Sequence, residues 1–289
     1  MKDLQQTQLE PGAGSIRDGA EAERQRELLP LVDADCFNSL VFGQTGVFVI
    51  RKAIPDNLVV CWKTAWEAFY NTELGGKRFI NKFNPVAVDE VPPDPLNSIY
   101  RENAILDIVE KALGPDIALY NQRFVIKDRD SRDAVFLHHD SPYHRGYLNK
   151  LSAFVALSDA TPENGGLYFL PGTHRLGYLG DAGELNREVL PVNWPELSPS
   201  LSPGDIVLMH SSTWHGSGPH RSGPDRVLVD VIYQCADDPS GKELLRGRWR
   251  TNVFLRNPDA YFKRSRVSRI KELQQSIESI NQRLPDSQE

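Results

Sequence analysis

All seven histidines of this chain lie between residues 138 and 220. Imidazole is the commonest protein ligand for transition metals near neutral pH, so such clustering points to a metal site. In FLHHDSPYH (136–144), His138 and Asp140 stand at i and i+2. In an extended segment those two side chains leave the same face, so both can reach one metal while His139 points away. Further on, in PGDIVLMHSSTWHGSGPHRSGPDRVLVDVIY (203–233), His215 follows a strand and stands in a Gly-rich turn. Two histidines and one carboxylate make a facial triad, which leaves adjacent metal positions open and suits Fe(II) and oxygen chemistry. Structural zinc sites, by contrast, are closed and usually sulfur-rich. Cys36, Cys61 and Cys235 form no CxxC pair and no disulfide framework, and they read as reduced thiols.

The remaining histidines divide by position. His210 lies on the strand leading to the turn and is expected to face the core or support the site. His139, His174 and His220 read as surface or supporting residues. Tyr143 and His144, just past the metal pair, are candidates for a substrate pocket. Arg226 opens the strand after His215. A guanidinium can grip a carboxylate with two parallel hydrogen bonds, which is what the far end of a metal-chelating diacid requires.

These residues need a scaffold, and the periodicity supplies one. From residue 117 onward, IALYNQRFVIK, KLSAFVALSD, GLYFLPG, DIVLMH and RVLVDVIYQ are short, rich in β-branched and aromatic residues, and separated by turn formers. They predict a mainly β core, a sandwich or barrel, with helices packed outside it. Val227, Val229, Val231 and Tyr233 share one face of the last of these strands. Upstream, GVFVI (46–50) predicts a strand. A helix follows from Asp56, with Val59, Trp62, Trp66 and Phe69 at helical spacing, and a second helix covers 98–113, closed by Gly114-Pro115.

Residues 1–35 are polar and read as a mobile N-terminal tail, helical in part near 21–29. The catalytic core then occupies 36–257. Residues 78–95 are Pro-rich and loop-like, and suit a lid. In 258–289, Ile270, Leu273, Ile277, Ile280 and Leu284 form a heptad seam. That seam fits either a helix docked on its own domain or a homo-oligomer contact.

Composition narrows the partners. With 40% hydrophobic and 25% charged residues the chain can bury an ordinary soluble core. A net charge of −6 gives no electrostatic footprint for nucleic acid or for a membrane surface. No secretory h-region and no apolar stretch of about 18 residues is found, so the expectation is a cytoplasmic protein acting on a small molecule.

Taken together, LHHD, the segment ALSDATPENGGLYFLPGTHR (156–175), the segment PGDIVLMHSSTWHGSGPHRS (203–222) and Arg226 resemble the phytanoyl-CoA dioxygenase family of Fe(II)/2-oxoglutarate oxygenases. The resemblance covers roughly residues 44–236. It implies a double-stranded β-helix, a cupin-like jelly roll. It also implies that His138, Asp140 and His215 ligate Fe(II), and that Arg226 and Ser217 bind the C5 carboxylate of 2-oxoglutarate. Phe154 falls where the family often has a tryptophan walling that co-substrate, and Arg123 falls near another co-substrate position. O2 would be consumed and an unactivated C–H bond hydroxylated, with succinate and CO2 as co-products. Related halogenases replace the metal-binding carboxylate with a small residue, so Asp140 argues for hydroxylation. Desaturation, epimerisation or cyclisation by the same iron chemistry, and a non-catalytic metal-binding jelly roll, are the alternatives. Tyr143, His144, Arg145, Trp214 and Asn81 are the candidate substrate residues.

Overall fold

The strand-rich half of the chain folds into two facing sheets, because its strands alternate which residues they bury. The computed structural model describes residues 19–71, 94–128, 132–147, 149–177, 185–250 and 274–275. The larger sheet has seven strands in the order β1-β2-β7-β5-β9-β3-β10. These are β1 (Asp33–Ala34), β2 (Val47–Ile50), β3 (Ile117–Lys127), β5 (Lys150–Ala156), β7 (Ile206–His210), β9 (Arg226–Cys235) and β10 (Glu243–Arg246). The smaller sheet, in the order β4-β8-β6, is built from β4 (Val135–His138), β8 (Trp214–Ser217) and β6 (Leu167–Leu170). All pairings are antiparallel except β1 with β2.

Alternation divides the large sheet into two apolar layers. Val227, Val229, Val231 and Tyr233 of β9 pack with Phe48, Ile50 and Leu208 against helices. Those helices are α2 (Ser39–Thr45), α3 (Asp56–Tyr70) and α4 (Asn103–Leu113). Val59, Trp62 and Trp66 are the buried face of α3, as their spacing predicts. The opposite face of the sheet, with Val49, Phe154, Val207 and Leu228, packs on Leu167 and Phe169 of the small sheet. The result is the expected jelly roll with helices on one side.

Several boundaries differ from expectation. The helix expected over 98–113 is two pieces, a 3-10 turn at Leu96–Arg101 and then α4, whose first turn is capped by the Glu102 side chain. The packed chain also starts earlier than residue 36. Helix α1 (Gly19–Leu28) buries Ala22 and Gln25. The Gln25 amide donates to the Gln44 carbonyl at 3.2 Å, a polar anchor that apolar periodicity does not reveal. Most of the 78–95 loop, Asn81 and the seam residues Ile270 to Leu284 lie outside the described residues. Among the described residues, no helix is long and apolar enough to cross a membrane.

Candidate metal centre

Strands β4 and β8 place the two distant histidines together, since their register sets His138 directly opposite His215. The ring centroids are 4.3 Å apart. Here two readings from sequence need correction. His215 is not in a turn but inside β8, a strand too short and too Gly-rich to show period-2 alternation. The extended run of the His-x-Asp pair ends at His138. Asp140 lies beyond it in a helical conformation, capping a 3-10 turn at Ser141–Tyr143. The carboxylate still converges: Asp140 Oδ1 is 3.6 Å from His138 Nε2, and Oδ2 is 3.9 Å from His215 Nε2. One ligand atom from each residue lies within 4.8 Å of the others, and all three residues are buried.

Both histidines are oriented by the same device. His138 Nδ1 stands 2.8 Å from the carbonyl of Phe136, and His215 Nδ1 stands 3.0 Å from that of Thr213. A carbonyl can only accept, so each Nδ1 carries the proton and each Nε2 is left with a free lone pair for a metal. Protonation matches this. Burial, helped by the neighbouring His138, pulls His215 down to about 4. Burial alone would raise Asp140, but the neighbouring His215, His138 and Arg123 outweigh it and hold the carboxyl well below its ordinary value. A neutral imidazole at His215 and an ionised carboxylate at Asp140 are forms that bind a divalent metal.

A narrow cavity of about 50 Å³ is lined by the two triad histidines and by Arg226. His138, His215, Arg123, Val125, Lys127, Phe154, Leu167, Ser217 and Arg226 are among its walls. Arg226 is 1% exposed. One of its terminal nitrogens donates to the Gly165 carbonyl, its Nε has no hydrogen-bond partner, and it makes no ion pair among the described residues. Burial without a counter-charge pulls the guanidinium down to about 9, so it is charged at neutral pH. A buried cation with open donors, facing an open-sided two-histidine, one-carboxylate site, fits a metal-chelating diacid. Ser217 and Phe154 line the same cavity.

The ENGG and PGTH segments build this arrangement rather than react. Asn164 donates to the carbonyls of Asp159 and Pro224 and accepts from the Thr161 amide, which ties the loop to the chain just before Arg226. Gly165 adopts φ +85, and a Cβ there would lie 2.5 Å from Cδ of Lys127. Glycine is therefore required where the carbonyl must turn toward Arg226. Thr173 Oγ1 accepts from the Trp214 amide at 2.9 Å and so anchors β8.

Other expected residues fall elsewhere. Trp214 is on the face of β8 opposite His215 and packs with Ala22, Leu137, Leu170, Leu190 and Trp194, so it does not line the cavity. His139 and His220 are buried rather than on the surface, at 1% and 7% exposure. His210 is half-buried and pairs with Asn149 Oδ1 at 3.0 Å. Tyr143 and His144 stay close to the metal side: the Tyr143 ring is 6.3 Å from that of His138, and buried His144 leans on Tyr120 at 5.0 Å. Neither lines the narrow cavity. Arg123 does line it, but its Nε is committed to Asp230 Oδ2 at 2.6 Å. Asp230 was missed, although a lone carboxylate within the apolar run RVLVDVIYQ, in phase with Arg226, was the available signal. Lys127 was also missed. It is buried, and its ammonium donates to the carbonyls of Asp133, at 2.9 Å, and Gly218.

Comparison with known proteins agrees with this geometry. A relative from Stutzerimonas stutzeri, named as a probable alpha-ketoglutarate-dependent hypophosphite dioxygenase, is 29% identical over 157 residues, covering 50% of this chain and 54% of that protein. A methylphosphonate hydroxylase from Gimesia maris is 26% identical over 143 residues, covering 48% and 54%. The chain thus spans about half the length of the curated relatives it matches. Among solved structures, the non-heme alpha ketoglutarate dependent epimerase SnoN aligns with a TM-score of 0.57 at 19% identity, over 76% of this chain and 82% of that one. EctD from S. alaskensis aligns with a TM-score of 0.57 at 18% identity, over 77% and 90%. At such identities these structures establish the shared fold. The phytanoyl-CoA dioxygenase family model matches residues 42–228, a span that holds both histidines, the aspartate and Arg226, and the chain belongs to that family.

Proposed function

We propose that this protein is a non-haem Fe(II)- and 2-oxoglutarate-dependent dioxygenase that hydroxylates an unactivated C–H bond of a small molecule. The observation that carries this reading is Arg226, a buried cation without an acidic partner among the described residues, at the end of a cavity that begins at the triad. A binding protein or an isomerase using metal alone has no need to keep such a charge buried.

His138, Asp140 and His215 would hold the iron. The bound iron and 2-oxoglutarate supply the redox chemistry, in which O2 is consumed, 2-oxoglutarate becomes succinate and CO2, and one oxygen atom enters the substrate. The chain supplies position and exclusion of water. Arg226 takes the distal carboxylate, with Ser217 lining the same end. Phe154, Leu167 and Val125 wall the diacid's methylene chain. Tyr143 and His144 border the metal on the substrate side. Asp140 occupies the ligand position that a halide would need. The relatives named for hypophosphite and methylphosphonate support a small substrate over an acyl-CoA.

The test is 2-oxoglutarate turnover with Fe(II) and ascorbate under air, against a metabolite library, with mass spectrometry for a +16 product. Substrate-stimulated succinate is expected, and it should vanish in His138→Ala and Asp140→Ala. Full metal occupancy in either variant would overturn the ligand assignment.

A further inference from the structure

The three metal-site side chains are not steadied in the same way. Each histidine is oriented by a backbone carbonyl two residues before it. Asp140 lies just past β4, off the strand, and its Oδ2 accepts no hydrogen bond. Its nearest cation is Arg123, whose Nη2 stands 3.9 Å from that oxygen. The position of Arg123 is in turn set by Asp230. The β3–β9 register places the two opposite one another, and Arg123 Nε donates to Asp230 Oδ2 at 2.6 Å. A guanidinium is rigid and planar, so fixing Nε fixes the direction of the neighbouring terminal nitrogen. One edge of Arg123 therefore faces two carboxylates. Asp230 is 0% exposed, and a buried carboxylate at that depth is costly without a partner. It contributes nothing to the surface, and it is not among the walls of the narrow cavity.

We propose that Asp230 is a positioning residue for the metal centre: it fixes Arg123 so that the guanidinium steadies the outer oxygen of Asp140, and the pair sets metal affinity. This rests on the reading of His138, Asp140 and His215 as metal ligands. The role resembles that of the outer partners of metal ligands in general, whose loss weakens metal binding about 10- to 100-fold.

The experiment is Mn(II) binding to the purified full chain without 2-oxoglutarate, followed by EPR of the free ion. Wild type should bind, and loss of binding in His138→Ala shows that the triad is the site. Failure of wild type to bind would overturn the metal-centre reading and this proposal with it. Given binding, Asp230→Asn should raise the Mn(II) Kd about 10- to 100-fold. Arg123→Lys should also weaken binding, although it keeps the charge, because an ammonium cannot hold two carboxylates along one rigid edge. The double variant Asp230→Asn with Arg123→Met should bind no worse than Arg123→Met alone, within about twofold. Wild-type Mn(II) affinity in Asp230→Asn would sink the proposal, as would losses that multiply in the double variant. Should Asp230→Asn not fold, Arg123→Lys, at a partly exposed position, decides the matter by the same readout.

Discussion

Arg123 and Arg226 project from the same face of one sheet, on strands β3 and β9 that hydrogen-bond to each other. Both line the cavity that leaves the triad. Near the triad, Arg123 is held by Asp230 at 2.6 Å and faces Asp140 at 3.9 Å. At the far end, Arg226 is more deeply buried and has only the Gly165 carbonyl as a protein acceptor among the described residues. A buried charge costs several kcal/mol unless it is answered. Internal carboxylates answer the first arginine. The second stays unanswered within the described protein, which is how a receptor for an external carboxylate is built. On the proposed reading, the same residue type serves as internal scaffold at one end of the cavity and as a docking group at the other.

This contrast can be broken most directly at Arg226. Arg226→Ala should weaken 2-oxoglutarate binding by about 10²- to 10⁴-fold, the cost of truncating one partner of a buried charged contact, with Mn(II) affinity unchanged. Equal 2-oxoglutarate affinity in isothermal titration of the variant would show that the far end is not the receptor.

The ligand-free protein offers the next test. Arg123→Met strands Asp230 in the core and should lower unfolding free energy by about 2 kcal/mol, a loss tempered by protonation of that carboxyl. Arg226→Met removes a charge that nothing answers, and the variant should be as stable as wild type or more so. Urea melts of the two variants should move in opposite senses or differ clearly. Equal losses would erase the distinction between them.

A smaller effect is expected at the backbone that serves Arg226. Gly165→Ala forces a side chain into a left-handed conformation against Lys127, and should cost about 1–2 kcal/mol of stability. It should also weaken 2-oxoglutarate binding more than metal binding.

On the contrast itself, pH has the least effect. Between pH 6.5 and 8 neither arginine changes charge, so the contrast between them should persist. Below that range the histidines respond. Burial holds His139, His174, His210 and His215 near about 4 in the folded chain. Unfolded histidines take up a proton near pH 6.5. The unfolded state therefore binds more protons in that interval, and stability is lost as pH falls from about 6.5 to about 4, levelling off below. Metal-free protein melted in urea at pH 7 and pH 5 should show the difference, on the order of several kcal/mol. A flat profile would mean these rings are more solvated than their burial implies.

The long strands were legible because each carries enough β-branched and aromatic residues to declare its period, and α3 declared itself by Val59, Trp62 and Trp66. The strands β4 and β8 were not, since four residues that include His138, or His215 and Gly216, are too few and too polar to show alternation. That gap explains the misreading of Trp214. Once β8 is a strand, Trp214 must face away from His215 and into apolar surroundings. The residues of α1 resemble a polar tail because their burial rests on Ala22 and Gln25 rather than on an apolar stripe.

The sequence by itself determined the chemistry available. A His-x-Asp pair, a distant histidine, an arginine opening the next strand and the spacing of ENGG and PGTH are local features, carried by residue type and order. Tertiary structure alone decided what each charge is for. Asp230 and Arg123 lie far apart in the chain and meet only through the register of β3 on β9. The proposal that Arg226 receives a carboxylate rests on its burial and its lack of an acidic partner among the described residues, which only the fold supplies. Electrostatic roles depend on distance and on the exclusion of water, and folding sets both.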